Sequence, residues 1–209
     1  MGELVLVRHG ETVGDSSIRL YGATDVALSE LGERQIERAA AALAGERFDA
    51  VVVSPLQRSR RSGALLAAGR EPAPRLVVVE GFREINFGRW EGWTFAEAAA
   101  RDPDNYRAWA RREPEFEFPG GETRLGFRAR VCAAITDQLF PPGLRVLGAL
   151  HKGIIKILIG ALTGMPFDEV SELPVALGGI YRLRPRPSGG WALASAHETA
   201  HLGELFRES

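Results

Sequence analysis

The stretch ELVLVRHGET, residues 3 to 12, decides how this chain is read. Leu4 to Val7 form a continuous apolar run. That pattern suits a central strand covered on both faces, where an alternating pattern would suit a half-exposed one. The run stops at Arg8 and His9, two polar side chains set side by side where a buried strand should end. An isolated Arg-His pair needs no more than a turn into solvent to explain it. The rest of the chain repeats the arrangement.

Outward from this strand, residues 27–45 (ALSELGERQIERAAAALAG) carry apolar positions at helical spacing, with Ser29 as N-cap and Gly45 as stop. Residues 49–56 (DAVVVSPL) predict a second buried strand ending at Ser54-Pro55, and 57–69 (QRSRRSGALLAAG) a helix. A third strand follows in 74–82 (PRLVVVEGF). Alternating strands and helices predict an α/β fold: three layers, α/β/α, about a mostly parallel central sheet. From about 88 to 121 the chain turns rich in Trp, Arg, Glu and Pro. Two short helices are expected there, in 94–102 and 104–113, as a small helical insertion over the strand C-terminal ends. Residues 122–140 predict one long amphipathic helix, with Glu122 near its start and Cys132 as a small core residue. Residues 144–150 (LRVLGAL) are a fourth buried strand followed at once by His151, and 154–164 an apolar helix. Residues 176–196 alternate about a Ser-Gly-Gly turn and predict a closing hairpin. The last eight residues are expected to be mobile. Residues 1–209 are read as a single domain carrying the insertion.

Composition narrows the function. The 26 basic and 27 acidic residues nearly cancel, which argues against a nucleic-acid binder. Lysine occurs only at 152 and 156, so arginine, the better bidentate phosphate ligand, supplies the other basic side chains. One cysteine excludes an internal disulfide and a cysteine-only zinc site. No apolar run approaches the about 18 residues that span a bilayer, so no membrane partner is expected. A strand directly after Met1 leaves no room for a signal peptide, and a cytoplasmic location is expected.

Three strands end in chemistry-bearing residues: Arg8-His9, Ser54 with Arg58 a helical turn on, and His151. Ligands of open α/β sheets sit beyond the strand carboxyl ends. The region after the third strand brings Glu84 to the same rim. Two arginines, two histidines and a carboxyl group match a phosphoryl group, whose charge-assisted hydrogen bonds contribute roughly 1.5–3 kcal/mol each. A histidine can attack phosphorus, and a protonated carboxyl group can supply the leaving alcohol with a proton. Neither step calls for a metal or a cofactor. A doubly wound oxidoreductase would need a glycine-rich dinucleotide fingerprint after the first strand, which is absent.

LVRHGET (6–12), YGATDVALSELG (21–32), SPLQRSRRSG (54–63), FREINFGRWEG (82–92), FPGGET (118–123) and LHKG (150–153) occur in the order and spacing of the histidine phosphatase superfamily, the phosphoglycerate-mutase-like fold. The resemblance covers residues 3 to 203. It implies His9 as nucleophile, Arg8, Arg58 and His151 as phosphoryl ligands, and Glu84 as proton donor, with Glu80 and Glu91 as the competing candidates for the acid. It places Thr12 and the Tyr21-Gly22 backbone by the phosphate or leaving group. Asp15 stands where the family usually has an asparagine. An unprotonated aspartate cannot donate to phosphate, so either it turns away or Ser16 takes its part. Leu150 replaces a small polar residue before His151. Lys152 either adds a cation at the pocket mouth or starts a helix in solvent. His197 and His201 are expected to be structural. The stretch after Glu84 lacks the basic insertion of the mutases and resembles the phosphatase branch; 102–109 and 158–170 resemble the α-ribazole phosphatases. The expected activity is metal-independent hydrolysis of a small phosphorylated metabolite by a monomer or homodimer. The alternatives are a cofactor-dependent phosphoglycerate mutase and a catalytically silent phosphate-ligand binder.

Overall fold

The computed structural model describes residues 2–113, 115–136, 139–141 and 143–207. Strands β1 (Glu3–Arg8), β2 (Ala50–Val53), β3 (Arg75–Val78), β4 (Arg145–Leu150), β5 (Ile180–Pro185) and β6 (Trp191–Glu198) form one sheet in the order β3-β2-β4-β1-β5-β6. The first four run parallel, and β5 and β6 return antiparallel beside β1. The helices are α1 (Glu30–Ala42), α2 (Gln57–Ala67), α3 (Phe95–Arg101), α4 (Pro103–Ala110), α5 (Arg124–Ala133), α6 (Lys152–Thr163) and α7 (Phe167–Glu172).

The apolar run of β1 is explained by its central place. Leu4 and Leu6 pack with Val131 of α5 and Ile154, Ile155 and Leu158 of α6 on one face. Val5 and Val7 pack with Ile36 and Ala39 of α1 and Leu66 of α2 on the other. Burying both faces removes about 1.5–3 kcal/mol worth of apolar exposure for each such side chain. Among the described residues no helix is long and apolar enough to cross a membrane.

Ser29 caps α1, its hydroxyl accepting from Gly32 N at 3.1 Å. This start packs directly on the segment after β1. A Cβ on Gly10 would lie 2.2 Å from the Gly32 carbonyl oxygen, and one on Gly32 1.9 Å from that of Glu11. Only glycine allows that approach, which holds the β1 end against α1. The insertion forms α3 and α4 as expected. Trp90, fully buried, sits beneath them with Phe116 and Phe118 and donates from Nε1 to Asp102 at 3.0 Å. It is a core aromatic.

Three expectations are corrected. The long helix over 122–140 is confined to Arg124–Ala133, capped by Thr123, so Glu122 lies outside it. Past Ala133 the Ala134 N–H is shared between the Arg130 and Val131 carbonyls and that of Ile135 bonds three residues back to Cys132, which tightens and ends the helix; residues 137 and 138 lie outside the described residues. Cys132 is half-buried, on the helix flank. The chain end docks: Leu202 and Leu205 are buried, and the Leu205 carbonyl accepts from Gln35 Nε2 at 2.8 Å. Two buried leucines supply the apolar burial that a polar tail would lack; residues 208 and 209 lie outside the described residues.

Candidate active site

Parallel register brings the strand ends together. Arg8 lies opposite Leu150 across β1 and β4, so His9 and His151 leave the sheet as neighbours. Their rings meet edge to face, centroids 5.1 Å apart. Across β4 and β2, Val53 lies opposite Ala149, which sets Ser54 beside them. Arg58 comes from the first turn of α2, and Glu84 from the loop after β3. Arg8, His9, Arg58, Glu84 and His151 are all buried.

Each ring nitrogen has an assigned task. His9 Nδ1 contacts the Gly10 carbonyl oxygen at 2.7 Å. A carbonyl only accepts, so Nδ1 carries the proton and Nε2 keeps its lone pair. Burial first, then Arg58 and Arg8, hold the His9 imidazole well below its usual pKa and keep it neutral. His151 Nε2 meets Ser54 Oγ at 2.6 Å. Ser54 Oγ also accepts from Leu56 N at 3.2 Å; its hydroxyl proton is then available to Nε2, and the tautomer that uses it carries the ring proton on Nδ1. Burial, Arg58, His9 and Arg8 depress the His151 pKa as well.

Arg58 is fully buried and donates to three backbone carbonyls: Thr24 from Nη1 at 2.7 Å, and Tyr21 and Gly22 from Nη2 at 3.1 and 2.6 Å. A guanidinium has five N–H donors, so two remain. Arg8 Nη1 donates to the Val175 carbonyl at 2.6 Å, and burial pushes its pKa down to about 10. Arg58 Nε, His151 Nδ1 and Thr12 Oγ1 are buried with no hydrogen-bond partner among the described residues. Buried polar atoms are ordinarily satisfied. Arg58 Nε is a donor that a bound oxyanion would satisfy, as is His151 Nδ1 when it carries the ring proton. The N-terminus of α6 adds a dipole that favours negative charge.

Glu84 accepts from Ile85 N and Gly153 N, both at 2.9 Å. Burial raises its pKa against the opposing pull of those two N–H groups and of Arg58 and Arg8. Its competitors are placed elsewhere: Glu80 is exposed and faces Arg83, and Glu91 accepts from the backbone N–H groups of residues 22, 23, 24 and 87.

The remaining expected ligands have mixed placements. Thr12 is buried. The Ser16 hydroxyl donates to Glu11 at 2.7 Å, and Asp15 is exposed with φ of 64°. Tyr21 is half-buried, and its carbonyl and that of Gly22 serve Arg58. Lys152 is half-buried and lies close enough to Arg8 and Glu84 to feel both; burial first, then Arg8, pushes its pKa down to about 8. His201 contacts the Gly178 carbonyl at 3.0 Å, a structural contact, and His197 sits against Phe206.

Ser54 was visible in the sequence only as a strand end, yet it supplies the orientation of His151 that Leu150 cannot. Ser54→Ala should lower kcat/KM about tenfold, the worth of one buried hydrogen bond. Steady-state kinetics with p-nitrophenyl phosphate will measure this; an unchanged kcat/KM would show that His151 is held in some other way.

The chain matches the model of the histidine phosphatase superfamily (branch 1) over residues 4–199, and it belongs to that family. Phosphoserine phosphatase 1 of Hydrogenobacter thermophilus is 33% identical over 214 residues, covering 100% of this chain and 98% of that one. A bifunctional protein of Mycobacterium tuberculosis is 42% identical over 159 residues, covering 75% of this chain and 43% of that one. The chain thus spans less than half the length of that mycobacterial relative. Among solved structures, a putative α-ribazole-5′-P phosphatase from Escherichia coli has a TM-score of 0.84 at 25% identity, with 95% of this chain and 97% of that chain covered.

Proposed function

We propose that the chain is a metal-independent phosphomonoesterase working through a phosphohistidine. The observation that carries this is the His9 ring: its proton held on Nδ1 by Gly10, its Nε2 lone pair facing away, and two buried arginines beside it. In the first step Nε2 bonds to phosphorus and the phosphorus–oxygen ester bond breaks. The departing oxygen takes its proton from Glu84. Arg8, Arg58 and His151 Nδ1–H stabilise the equatorial oxygens. In the second step Glu84, now a carboxylate, takes a proton from water as that water attacks phosphorus. The nitrogen–phosphorus bond breaks, phosphate leaves, and both groups return to their starting forms.

Family relatives act on different alcohols, and the cavity beside the site favours one kind. A space of about 680 Å³ opens between the insertion and α5, α6 and α7. Gly153 and Ile85, which hold Glu84, belong to its wall. From Gly153 it runs along α6 to Ala161, about 12 Å at the helical rise. Phe95, Trp109, Phe127 and Ile157 make most of the wall apolar, and Arg112, Arg124, Arg128 and Lys156 line it as well. Its length and apolar area suit an alcohol with a ring system better than one as small as serine, and its cations suit acceptor groups on that alcohol. This supports a ring-bearing metabolite such as α-ribazole 5′-phosphate over phosphoserine.

The test is a panel of α-ribazole 5′-phosphate, p-nitrophenyl phosphate, phosphoserine and 3-phosphoglycerate, each run with excess EDTA. Phosphate release should persist under chelation, because cationic side chains occupy the role metals take elsewhere. The ring-bearing esters should give the highest kcat/KM. Loss with EDTA that added metal restores would overturn the mechanism; a preference for phosphoserine would overturn the substrate class.

A further inference from the structure

We propose that Glu91 is a positioning residue of the phosphoryl site: through two intervening peptide groups it aims the Arg58 guanidinium. The proposal rests on the reading of Arg58 as a phosphoryl ligand.

The geometry is a relay. Gly22 N donates to Glu91 Oε2 at 3.1 Å, and Ala23 N to Oε1 at 2.9 Å. The carbonyls of those same two peptide groups, Tyr21 O and Gly22 O, both accept from Arg58 Nη2, at 3.1 and 2.6 Å. A trans peptide is planar, with its N–H and C=O pointing opposite ways. Drawing both N–H groups to Glu91 therefore turns both carbonyls toward Arg58. Carboxylate, two aligned peptide dipoles and guanidinium form a continuous chain of hydrogen bonds that runs from half-buried Glu91 to fully buried Arg58, and each link polarises the next. Thr24 N reaches Glu91 Oε2 at 3.3 Å and the Thr24 carbonyl accepts from Arg58 Nη1, so the whole turn is held between the two side chains.

Glu91 is itself fixed. Phe87 N donates to Oε1 at 3.0 Å, which ties it to the loop that carries Glu84. The turn lies so close to this loop that a Cβ on Gly22 would sit 1.7 Å from the Ile85 carbonyl oxygen. Backbone thus meets backbone, and Glu91 joins the Arg58 side of the site to the Glu84 side. With its terminal nitrogens anchored, Arg58 holds its two remaining N–H donors in one orientation. Preorganised donors of this kind are what an oxyanion site requires.

The sign of one substitution separates this role from a merely electrostatic one. A carboxylate that did no positioning would repel phosphate, and Glu91→Gln would tighten phosphate binding. A carboxylate that aims Arg58 gives the reverse, because glutamine turns an amide N–H toward the backbone donors. Binding of inorganic phosphate is to be measured by titration calorimetry in the intact chain, in Glu91→Gln, in Arg58→Ala and in the double variant. Glu91→Gln should weaken binding about tenfold where Arg58 is present and less than about twofold where it is absent. Tighter or unchanged binding in Glu91→Gln, or equal weakening in both backgrounds, overturns the proposal while leaving the Arg58 reading intact. Unchanged binding in Arg58→Ala overturns both. If Glu91→Gln fails to fold, Glu91→Asp, which keeps the charge and shortens the reach, should show the same dependence on Arg58, and its absence counts against the proposal.

Discussion

Replacing His9 with alanine should abolish turnover of phosphomonoesters and leave the fold standing. The covalent step has no second nucleophile to turn to. His151 is the only other histidine at the site among the described residues, and its Nε2 is held by Ser54 at 2.6 Å. In the tautomer that accepts from Ser54, its Nδ1 carries the proton and has no lone pair with which to attack. The structural cost of the change is small. Among the described residues the His9 ring makes one hydrogen bond of its own, to the adjacent Gly10 carbonyl, and it is desolvated beside two arginines that disfavour its protonated form. Circular dichroism should remain native. Incubation with substrate should label the unmodified chain with an acid-labile phosphoryl group and leave the variant unlabelled. Retention of more than about a hundredth of the rate would mean that phosphorus is attacked by some other group.

His9 was legible because its signal is local. A buried apolar run that ends in Arg-His-Gly is visible in ten residues, and so is its recurrence at Ser54 and His151. Parallel pairing does the rest, since register alone makes residues 9 and 151 neighbours. The residues that escaped are those whose partners are distant or are backbone. Ser54 and His151 stand 97 positions apart, and nothing about a serine at a strand end says which histidine it will meet. Glu91 bonds to peptide N–H groups 67 to 69 positions away, and a backbone donor leaves no mark in the sequence. Glu11 holds Thr12 N, the Ser16 hydroxyl and Ser17 N, so the loop that a phosphate would approach is shaped by a carboxylate that reads as one letter of a motif. Helix α5 was overestimated for a related reason. Amphipathic spacing continues past Ala133, while the switch to bonds three residues back is a backbone event that side-chain spacing does not register.

Glu84→Gln should be most harmful where the leaving group most needs a proton. An alkoxide from a sugar or ribose is a poor leaving group, and its oxygen must be protonated as the phosphorus–oxygen bond breaks. Glutamine has no proton of suitable acidity, so phosphoenzyme formation from an alkyl phosphate should slow by about 10²–10⁴, the usual worth of a general acid. p-Nitrophenolate departs without help, and the same step should slow far less with p-nitrophenyl phosphate. The amide can still accept from Ile85 N or Gly153 N, so the loop should hold its place. The pH dependence has a definite sign. His9 must be neutral to attack, a condition met above its depressed pKa and lost as pH falls through it. Glu84 must be protonated to donate, a condition met below its raised pKa and lost as pH rises through it. The first step on an alkyl phosphate should therefore fall on the alkaline side in the native chain, and in Glu84→Gln that limb should vanish along with most of the rate. Turnover alone would blur this, because in the proposed mechanism Glu84 also takes the proton from water in the second step. Single-turnover formation of the phosphoenzyme isolates the first. Equal slowing on both substrates, or an alkaline limb that survives the substitution, would show that the acid is another group, with Lys152, its pKa near 8 and its position beside Glu84, the next to test.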